Sequence, residues 1–288
     1  MKVAYLASNA TLANSVNRRP DAFEHDQMMD CLRSAFEAHG AIITDVAWDD
    51  KKVDWKEFDA AIIGTAWDYQ DRLEEFLATL ETIAGVAQLF NSPAMVRWNS
   101  HKIYLRELGD KGIALIPTHW LDQAGSDNVG ASFDLLDANE IVLKRQIGAS
   151  AEGQHRLHRG DAIPQMPEPM MVQPFMRSII TEGEYSFIFI DGALSHALIK
   201  KPADNDYRIQ ATYGGSEAPI AAAPEDVTVA ADVLSALDDK PLYARVDMLR
   251  GEDGALLLME LELVEPFLYP LQGPELGQRI YHALTSRL

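Results

Sequence analysis

The sequence predicts a mixed α/β protein built from a small parallel α/β domain, a middle segment and an antiparallel α+β module. Three observations predict it. Short apolar runs alternate with amphipathic helical stretches through about residue 90, the pattern of a parallel sheet with helices against it. Two hairpin signals, around Asp191-Gly192 and Gly251-Glu252-Asp253-Gly254, lie in the last third. The chain has 288 residues, 47% hydrophobic and 24% charged, a globular composition at a length that suits two or three compact units better than one core.

Lys2 to Ser8 is a short, largely apolar run suited to a buried parallel strand. Glu24 to His39 predicts a helix, with Met28, Leu32, Ala35 and Phe36 at helical spacing and Gly40 as its stop. Cys31 falls inside it as a packing thiol. Ala41 to Val46 and Phe58 to Gly64 are the next strands. The latter runs into Thr65-Ala66-Trp67-Asp68-Tyr69, at the edge where open sheets place ligands. Leu73, Phe76, Leu77, Leu80, Ile83 and Ala84 stripe the following helix. Asn91-Ser92-Pro93 breaks the pattern. Asn99 or Ser100 then caps a short helix carrying Ile103, Leu105 and Leu108, closed near Gly109 and Gly112. Ile113 to Thr118 is extended, because the residue before Pro117 is pushed out of the helical region. Glu140 to Arg145 is a strand, and the polar stretch from Gln146 to Gly160 is a mobile loop or a loop-centred hairpin. Glu184 to Ile190 with Ala193 to Lys201 forms the first hairpin, and Leu242 to Leu249 with Ala255 to Val264 the second. A helix from Glu225 to Leu237 lies between them, and the chain shows no internal repeat.

The formal charge of -19 argues against a nucleic-acid partner, which needs a basic surface. One cysteine excludes a disulfide framework and a cysteine-rich metal site. No apolar run reaches membrane-helix length, and the N-terminus does not read as a signal peptide, so the expectation is a cytoplasmic protein with no membrane partner. The chain has no GxxxxGK[ST], no GxGxxG after its first strand, no HExxH and no GxSxG.

The second hairpin is the most informative stretch. Tyr243, Arg245 and Asp247 share one face of its first strand, and Leu256, Leu258, Glu260 and Glu262 one face of its second. A turn centred between Glu252 and Asp253 puts Arg245 opposite Glu260 and Asp247 opposite Leu258, with Asp247 and Glu260 as diagonal neighbours. Three carboxylates and an arginine then converge. An oxygen-rich cluster without His or Cys suits Mg²⁺ or Mn²⁺; a solvated strand face with a salt bridge to Arg245 is the alternative. Glu265-Pro266 follows, either as part of the site or as the strand end.

An anionic ligand needs positive charge. Lys102 lies in Trp98-Asn99-Ser100-His101-Lys102, Lys144 interrupts an apolar strand, Lys200-Lys201 ends a hairpin strand, and Arg208 follows Asp206-Tyr207. For any one of these alone, a surface charge is the better reading. The small-residue loop from Gly148 to Gly153 can cradle phosphate through backbone N–H groups, or be an ordinary surface loop.

The order of these pieces resembles the ATP-grasp superfamily of carboxylate-amine ligases. A small α/β domain precedes Lys102, then Lys144, the small-residue loop, Gln173-Pro174-Phe175-Met176, Gly183-Glu184 with its hairpin, and finally Arg245-x-Asp247 with Glu260-x-Glu262. The chain is most similar to glutathione-synthetase-like and RimK-like members. Trp98-Asn99, Lys102, Tyr104-Leu105, Ser195-His196, Lys201-Pro202 and Leu261 to Pro266 also resemble the cyclo-ligase branch that makes cycloserine from O-ureido-serine. The resemblance runs from about residue 90 to 270. It implies an ATP-grasp fold with a Rossmann-like N-terminal domain over residues 1–92, a small lid subdomain over 93–172 and an antiparallel large subdomain over 173–288.

The resemblance also implies roles. Lys102 and Lys144 would bind the ATP phosphates, and Gly148, Ser150 and Gly153 would close over them. Gln173, Pro174, Phe175 and Met176 would form the hinge beside the adenine. Glu184 would bind the ribose or orient the site. Lys200, Lys201 and Arg208 would approach phosphates or substrate, Asp247, Glu260 and Glu262 would hold two Mg²⁺, and Arg245 would steady the transferred phosphoryl group. Glu262 stands where many members have Asn, His101 where an Asp often precedes the Lys, and Arg145 where Pro is common. The reaction implied is ATP-dependent joining of a carboxylate to an amine on an amino acid or small peptide, through an acylphosphate, with ADP and phosphate released. The alternatives are an intramolecular cyclo-ligase, a small-molecule kinase on the same scaffold, and a nucleotide-binding protein without turnover. Trp67, Asp68, Tyr69, Tyr207, Tyr213, Gly214 and Gly215 are candidates for the acceptor pocket. Partners would be small carboxylates and amines, and related ligases suggest a homodimer.

Overall fold

The computed structural model describes residues 1–148, 153–204, 206–209 and 213–288. The N-terminal part is a four-stranded sheet in the order β2-β1-β3-β4, with every neighbouring pair parallel. Its elements are β1 (Lys2–Ala7), α1 (Phe23–Glu37), β2 (Ile42–Ala47), β3 (Ala60–Ile63), α2 (Leu73–Ala84) and β4 (Gln88–Phe90). Phe76, Leu77, Leu80 and Ile83 of α2 are buried, as the stripe predicts. Two helices follow, α3 (Pro93–Asn99) and α4 (Tyr104–Asp110). Here the sequence expectation needs correction. Ser92 is the cap, its hydroxyl accepting from the Met95 amide at 3.3 Å, and Pro93 takes the first turn, where its missing N–H costs nothing. Asn99 ends that helix instead of starting the next.

The middle part is antiparallel. β5 (His119–Leu121), α5 (Ser126–Leu135), β6 (Glu140–Arg145), β7 (His155–His158) and β8 (Met170–Pro174) make a sheet in the order β5-β8-β6-β7. The stretch after β6 is thus a loop-centred hairpin, β6 pairing with β7. The C-terminal part holds α6 (Ser178–Thr181), β9 (Glu184–Ile190), β10 (Ala193–Lys201), β11 (Ser216–Ile220), α7 (Pro224–Ser235), β12 (Tyr243–Arg250), β13 (Leu256–Glu262) and α8 (Leu276–Thr285). Its sheet runs β11-β10-β9-β12-β13. Asp191 and Gly192 both have positive φ, 51° and 74°, as the tight turn of the first hairpin requires. The mixed α/β architecture with one parallel and two antiparallel sheets matches the predicted class. The strands β4, β5, β8 and β11 and the helices α3, α5, α6 and α8 were not predicted.

The core does not respect the three-part division. Val3, Tyr5 and Met28 from the parallel part share one buried cluster with Ile188, Leu198 and Leu242 from the antiparallel sheet. α8 returns to pack on α1, so closely that a Cβ at Gly277 would lie 2.5 Å from the Cys31 carbonyl oxygen. Cys31 therefore sits at a helix crossing, as a packing thiol. Among the described residues, no helix is long and apolar enough to cross a membrane.

The register of β12 and β13 differs from the expectation in a way that matters for the site. Met248 pairs with Leu258, but Asp247 pairs with Glu260 and Arg245 with Glu262, because a bulge at Met259 inserts one residue. The extra residue also reverses the inward–outward alternation. Leu256 and Leu258 before it, and Leu261 and Leu263 after it, all join the same core as Ala244, Val246 and Met248. Glu260 and Glu262 are left on the opposite face, directly across from Asp247 and Arg245.

Candidate active site

The three parts of the fold meet around a cavity of about 250 Å³, walled by the two antiparallel sheets and by α1 and the turn after β3 from the N-terminal part. One wall is the charged face of β12 and β13. Asp247 is 2% exposed. It accepts from the Ser186 hydroxyl, from Lys200 at 3.3 Å and from Arg245 Nε at 3.0 and 3.2 Å. Arg245 also pairs with Glu262 and donates to the Phe267 carbonyl at 2.9 Å. Lys200, inward-facing near the end of β10, pairs with Glu184 as well as Asp247. Glu260 pairs with Lys102 at 2.7 Å, and the same ammonium donates to the Gly148 carbonyl at 2.7 Å.

These pairings set the charges. Burial pushes Asp247 up, but Arg245 and Lys200 more than offset it, so its carboxyl is held below the usual range. Burial raises Glu184 to about 7 against the opposing effect of Lys200. It raises Glu262 to about 7 against that of Arg245. Burial alone would lower Lys102, yet Glu260 reverses the sign and its ammonium is raised. Lys144 behaves differently. Burial dominates and lowers it, only partly offset by Glu260 and Glu184. Among the described residues it makes no ion pair. A half-buried lysine without a counterion, facing a cavity, is a site for an anion.

The turn after β3 forms the opposite side. Trp67 Nε1 donates to the Glu265 carbonyl at 3.1 Å, and Gln70 Nε2 to the Glu265 carboxylate at 3.2 Å. Burial, with Glu262 nearby, raises Glu265 to about 8. The turn itself is pinned from behind. Thr65 Oγ1 is 2.6 Å from His25 Nδ1, and His25 Nε2 is 3.3 Å from Asp45. Hydroxyl, imidazole and carboxylate in that order look like a hydrolytic relay. Thr65 is only 1% exposed and outside the cavity, so the trio holds the backbone instead of attacking a substrate.

Residues 3–91 match the family model described as D-cycloserine synthetase DcsG, N-terminal domain. The cycloserine biosynthesis protein DcsG of Streptomyces lavendulae is 32% identical over 265 residues, covering 84% of this chain and 87% of that protein. The chain belongs to the DcsG family of ATP-grasp ligases. Its fold superposes on the crystal structure of D-cycloserine synthetase DcsG with a TM-score of 0.85 and 28% identity, over 100% of this chain and 99% of that one. D-alanine–D-alanine ligase from Bacillus anthracis shares the fold at a TM-score of 0.70 and 16% identity, over 99% and 96% of the two chains. The ATP-grasp ligase PsnB does so at 0.67 and 15%, over 99% of each. The D-alanine–D-alanine ligase has been solved with ATP and PsnB with Mg and ADP, and ATP and Mg²⁺ go with the family. This DcsG-family member is thus an ATP-dependent ligase, an enzyme that forms carbon–nitrogen bonds.

Within this ligase the cavity brings together Lys102, Lys144, Gly148, Glu184, Lys200, Arg208, Arg245, Asp247, Glu260 and Glu262, with Trp67, Tyr69 and Tyr207. It leaves other predicted residues outside its walls. Lys201 is exposed, the strand alternation that turns Lys200 inward turning it out. Asp68 accepts from Trp48 Nε1 at 2.8 Å and Arg72 at 2.7 Å, facing its own domain. Tyr213 stacks with the Arg208 guanidinium at 3.7 Å. Gly214 has φ 80° and lies near Ala203, and Gly215 packs so tightly that a Cβ would fall 1.9 Å from the Ile209 carbonyl oxygen. Gln173 donates to the Thr118 hydroxyl at 3.0 Å. Pro174 pairs with Ile141 at the end of β8, and the Met176 carbonyl accepts from Ile179. Phe175 lies under the Arg156 guanidinium at 3.7 Å and edge-on to Tyr207. Gly153 sits against Arg145, where a Cβ would come within 3.0 Å of Nε. Ser150 lies outside the described residues.

The cavity also contains residues that sequence reasoning did not propose, among them Asp21, Glu24, Gln70, Arg145, Gln154 and Tyr269. Glu265, which the sequence left open between the site and the strand end, lines the cavity as well. As for a metal, no three acidic, His or Cys side chains among the described residues are gathered to hold one. The donor set nonetheless fits a hard divalent ion. Glu260 and Glu262 present oxygen ligands to the cavity with about a quarter of each side chain exposed, 26% and 27%. Both are now turned to Lys102 and Arg245.

Proposed function

We propose that this ligase activates the carboxylate of a small amino acid as an acylphosphate and closes the molecule on its own distal nitrogen. The observation that carries the ligase chemistry is Lys144, without an ion pair among the described residues, facing the cation-paired carboxylates Asp247, Glu260 and Glu262 across one cavity. Ring closure is supported by the full-length likeness to a protein named D-cycloserine synthetase. The N-terminal match supports it too, because that domain walls the substrate side of the cavity through Trp67, Tyr69 and Gln70.

Lys144 and Lys102 bind the ATP phosphates, with residues 148–153 over them and residues 173–176 as the adenine hinge. The paired Lys200 supports the orienting role for Glu184. Glu260 and Glu262, backed by Asp247, would hold Mg²⁺, two ions or Mn²⁺ in its place, which supplies positive charge to the phosphate oxygens. A substrate carboxylate oxygen bonds the γ-phosphorus as the bond to the β-phosphate oxygen breaks, leaving ADP. Arg245 offsets charge on the transferring group. The nitrogen then bonds the carbonyl carbon, phosphate departs with the C–O electron pair, and the nitrogen loses a proton. The three-part division at about residues 92 and 172 gives a middle part that shields this acylphosphate from water.

The test is ADP and phosphate release from ATP and Mg²⁺ with amino acids and short peptides offered singly and in pairs, with mass spectrometry of the products. ADP with a product one water lighter than a single substrate marks ring closure. The same loss only from two joined substrates would replace ring closure with intermolecular ligation. A phosphorylated product would overturn both.

A further inference from the structure

The charges in the cavity do not balance pair by pair. Among the described residues Glu260 has Lys102, Glu262 and Asp247 have Arg245, Glu184 has Lys200 and Asp21 has Arg19. Glu265 lines the same cavity, and no cation among them pairs with it. It is nevertheless fixed. Gln70 donates to its carboxylate at 3.2 Å and Trp67 to its carbonyl at 3.1 Å, and Pro266 follows directly. A carboxylate held in place without a counterion has already lost its freedom to order, so a positively charged ligand gains the full pairing. Two other carboxylates, Glu24 and Glu217, line the cavity and among the described residues have no ion pair, but neither is held there by a side-chain hydrogen bond, and Glu217 is exposed on the edge strand β11.

We propose that Glu265 is a specificity-determining residue that receives the protonated α-amino group of the substrate, so that the site selects amino acids over their amino-free counterparts. The proposal rests on the ligase reading and deepens it. An α-ammonium paired with Glu265 stays protonated and out of the reaction, which leaves the distal nitrogen as the nucleophile. The turn from Thr65 to Gln70, pinned by His25 and Asp45, positions Glu265 and gives the N-terminal domain a direct part in selection.

The experiment is calorimetric titration of the full-length protein with cycloserine and with isoxazolidin-3-one, the same ring without its amino group. The expected result is at least about tenfold tighter binding of cycloserine to the natural protein. Glu265→Gln should weaken cycloserine about 10–100-fold, the loss of a charge-assisted pair, and leave isoxazolidin-3-one unchanged. Glu265→Asp, which keeps the charge, should retain a preference, and Glu24→Gln should leave it intact. An undiminished preference in Glu265→Gln, its loss in Glu24→Gln, or no preference in the natural protein would overturn the assignment. ADP release, measured in parallel, separates the two readings. Turnover of amino-free acids by the natural protein keeps the ligase and overturns Glu265. A Glu265-dependent preference with no ADP release from any substrate overturns the ligase alone.

Discussion

Lys144 and Glu260 test the site at single residues. Lys144 is a cation that burial makes costly to keep charged, so its interaction with an anion is large. Lys144→Met should weaken ATP binding about 10–100-fold by direct titration while leaving thermal stability level or raised. Unchanged ATP affinity would remove it from the phosphate site. Glu260→Gln should keep the fold and lower kcat by at least about 100-fold; a fully active purified variant would sink its metal role. Lys144 was legible because a lysine is out of place in Ile141-Val142-Leu143, and Glu260 because strand alternation exposes it. Asp21 and Gln70 were not legible. They reach the cavity from the connections after β1 and β3 of the N-terminal domain, and only the packing of that domain on the antiparallel sheet brings them there.

The second hairpin shows what limits reading at the level of elements. Its turn and strands were legible from Gly251 to Gly254 and the apolar runs on either side. Its bulge was not. Leu256, Leu257 and Leu258 are apolar on both faces, so nothing in their order marks where the alternation reverses. Side chains from neighbouring elements hold this strand pair in register. Asn91 donates to the carbonyls of Tyr243 and Leu263 at 3.0 and 2.7 Å and accepts from the Leu242 amide at 2.8 Å. Asn99 donates to the Leu261 carbonyl and accepts from the Leu263 amide, at 2.8 and 2.9 Å, on either side of Glu262. Asn91 also adopts φ 47°, which asparagine tolerates better than alanine. Asn91→Ala leaves three buried backbone groups unpaired and should cost about 3 kcal/mol, lowering Tm by roughly 6–12 °C. A change under about 1 °C in a thermal melt would show that these groups find other partners. The edge strand β11 was missed for the opposite reason. Ser216 to Pro219 are exposed and carry no apolar alternation.

At the scale of the whole molecule, the ligand-free cavity stores unfavourable charge. Burial raises Glu24 to about 7 and Glu265 to about 8, above the unfolded carboxylate value near 4.5. In that interval the folded state binds more protons than the unfolded state, so stability falls as pH rises from about 4.5 to 8. The formal charge of -19 adds self-repulsion in the same direction. Tm should therefore be higher at pH 5.5 than at pH 8.5, and the difference should shrink in Glu265→Gln. A flat or opposite profile would show that these carboxylates are not buried as charges. The order of motifs made the family legible from sequence alone, because lysines, small-residue loop and acidic strand keep their order whatever the surrounding side chains. The substrate was not legible, since the residues on that side come from turns whose meeting depends on the assembled fold. The most direct test of the central claim is isotopic. An amino acid labelled with ¹⁸O in its carboxylate is turned over with ATP and Mg²⁺, and the released phosphate is analysed. An acylphosphate predicts one labelled oxygen in the phosphate for each ADP and each C–N bond formed. Unlabelled phosphate, or ADP without a C–N product, would contradict it.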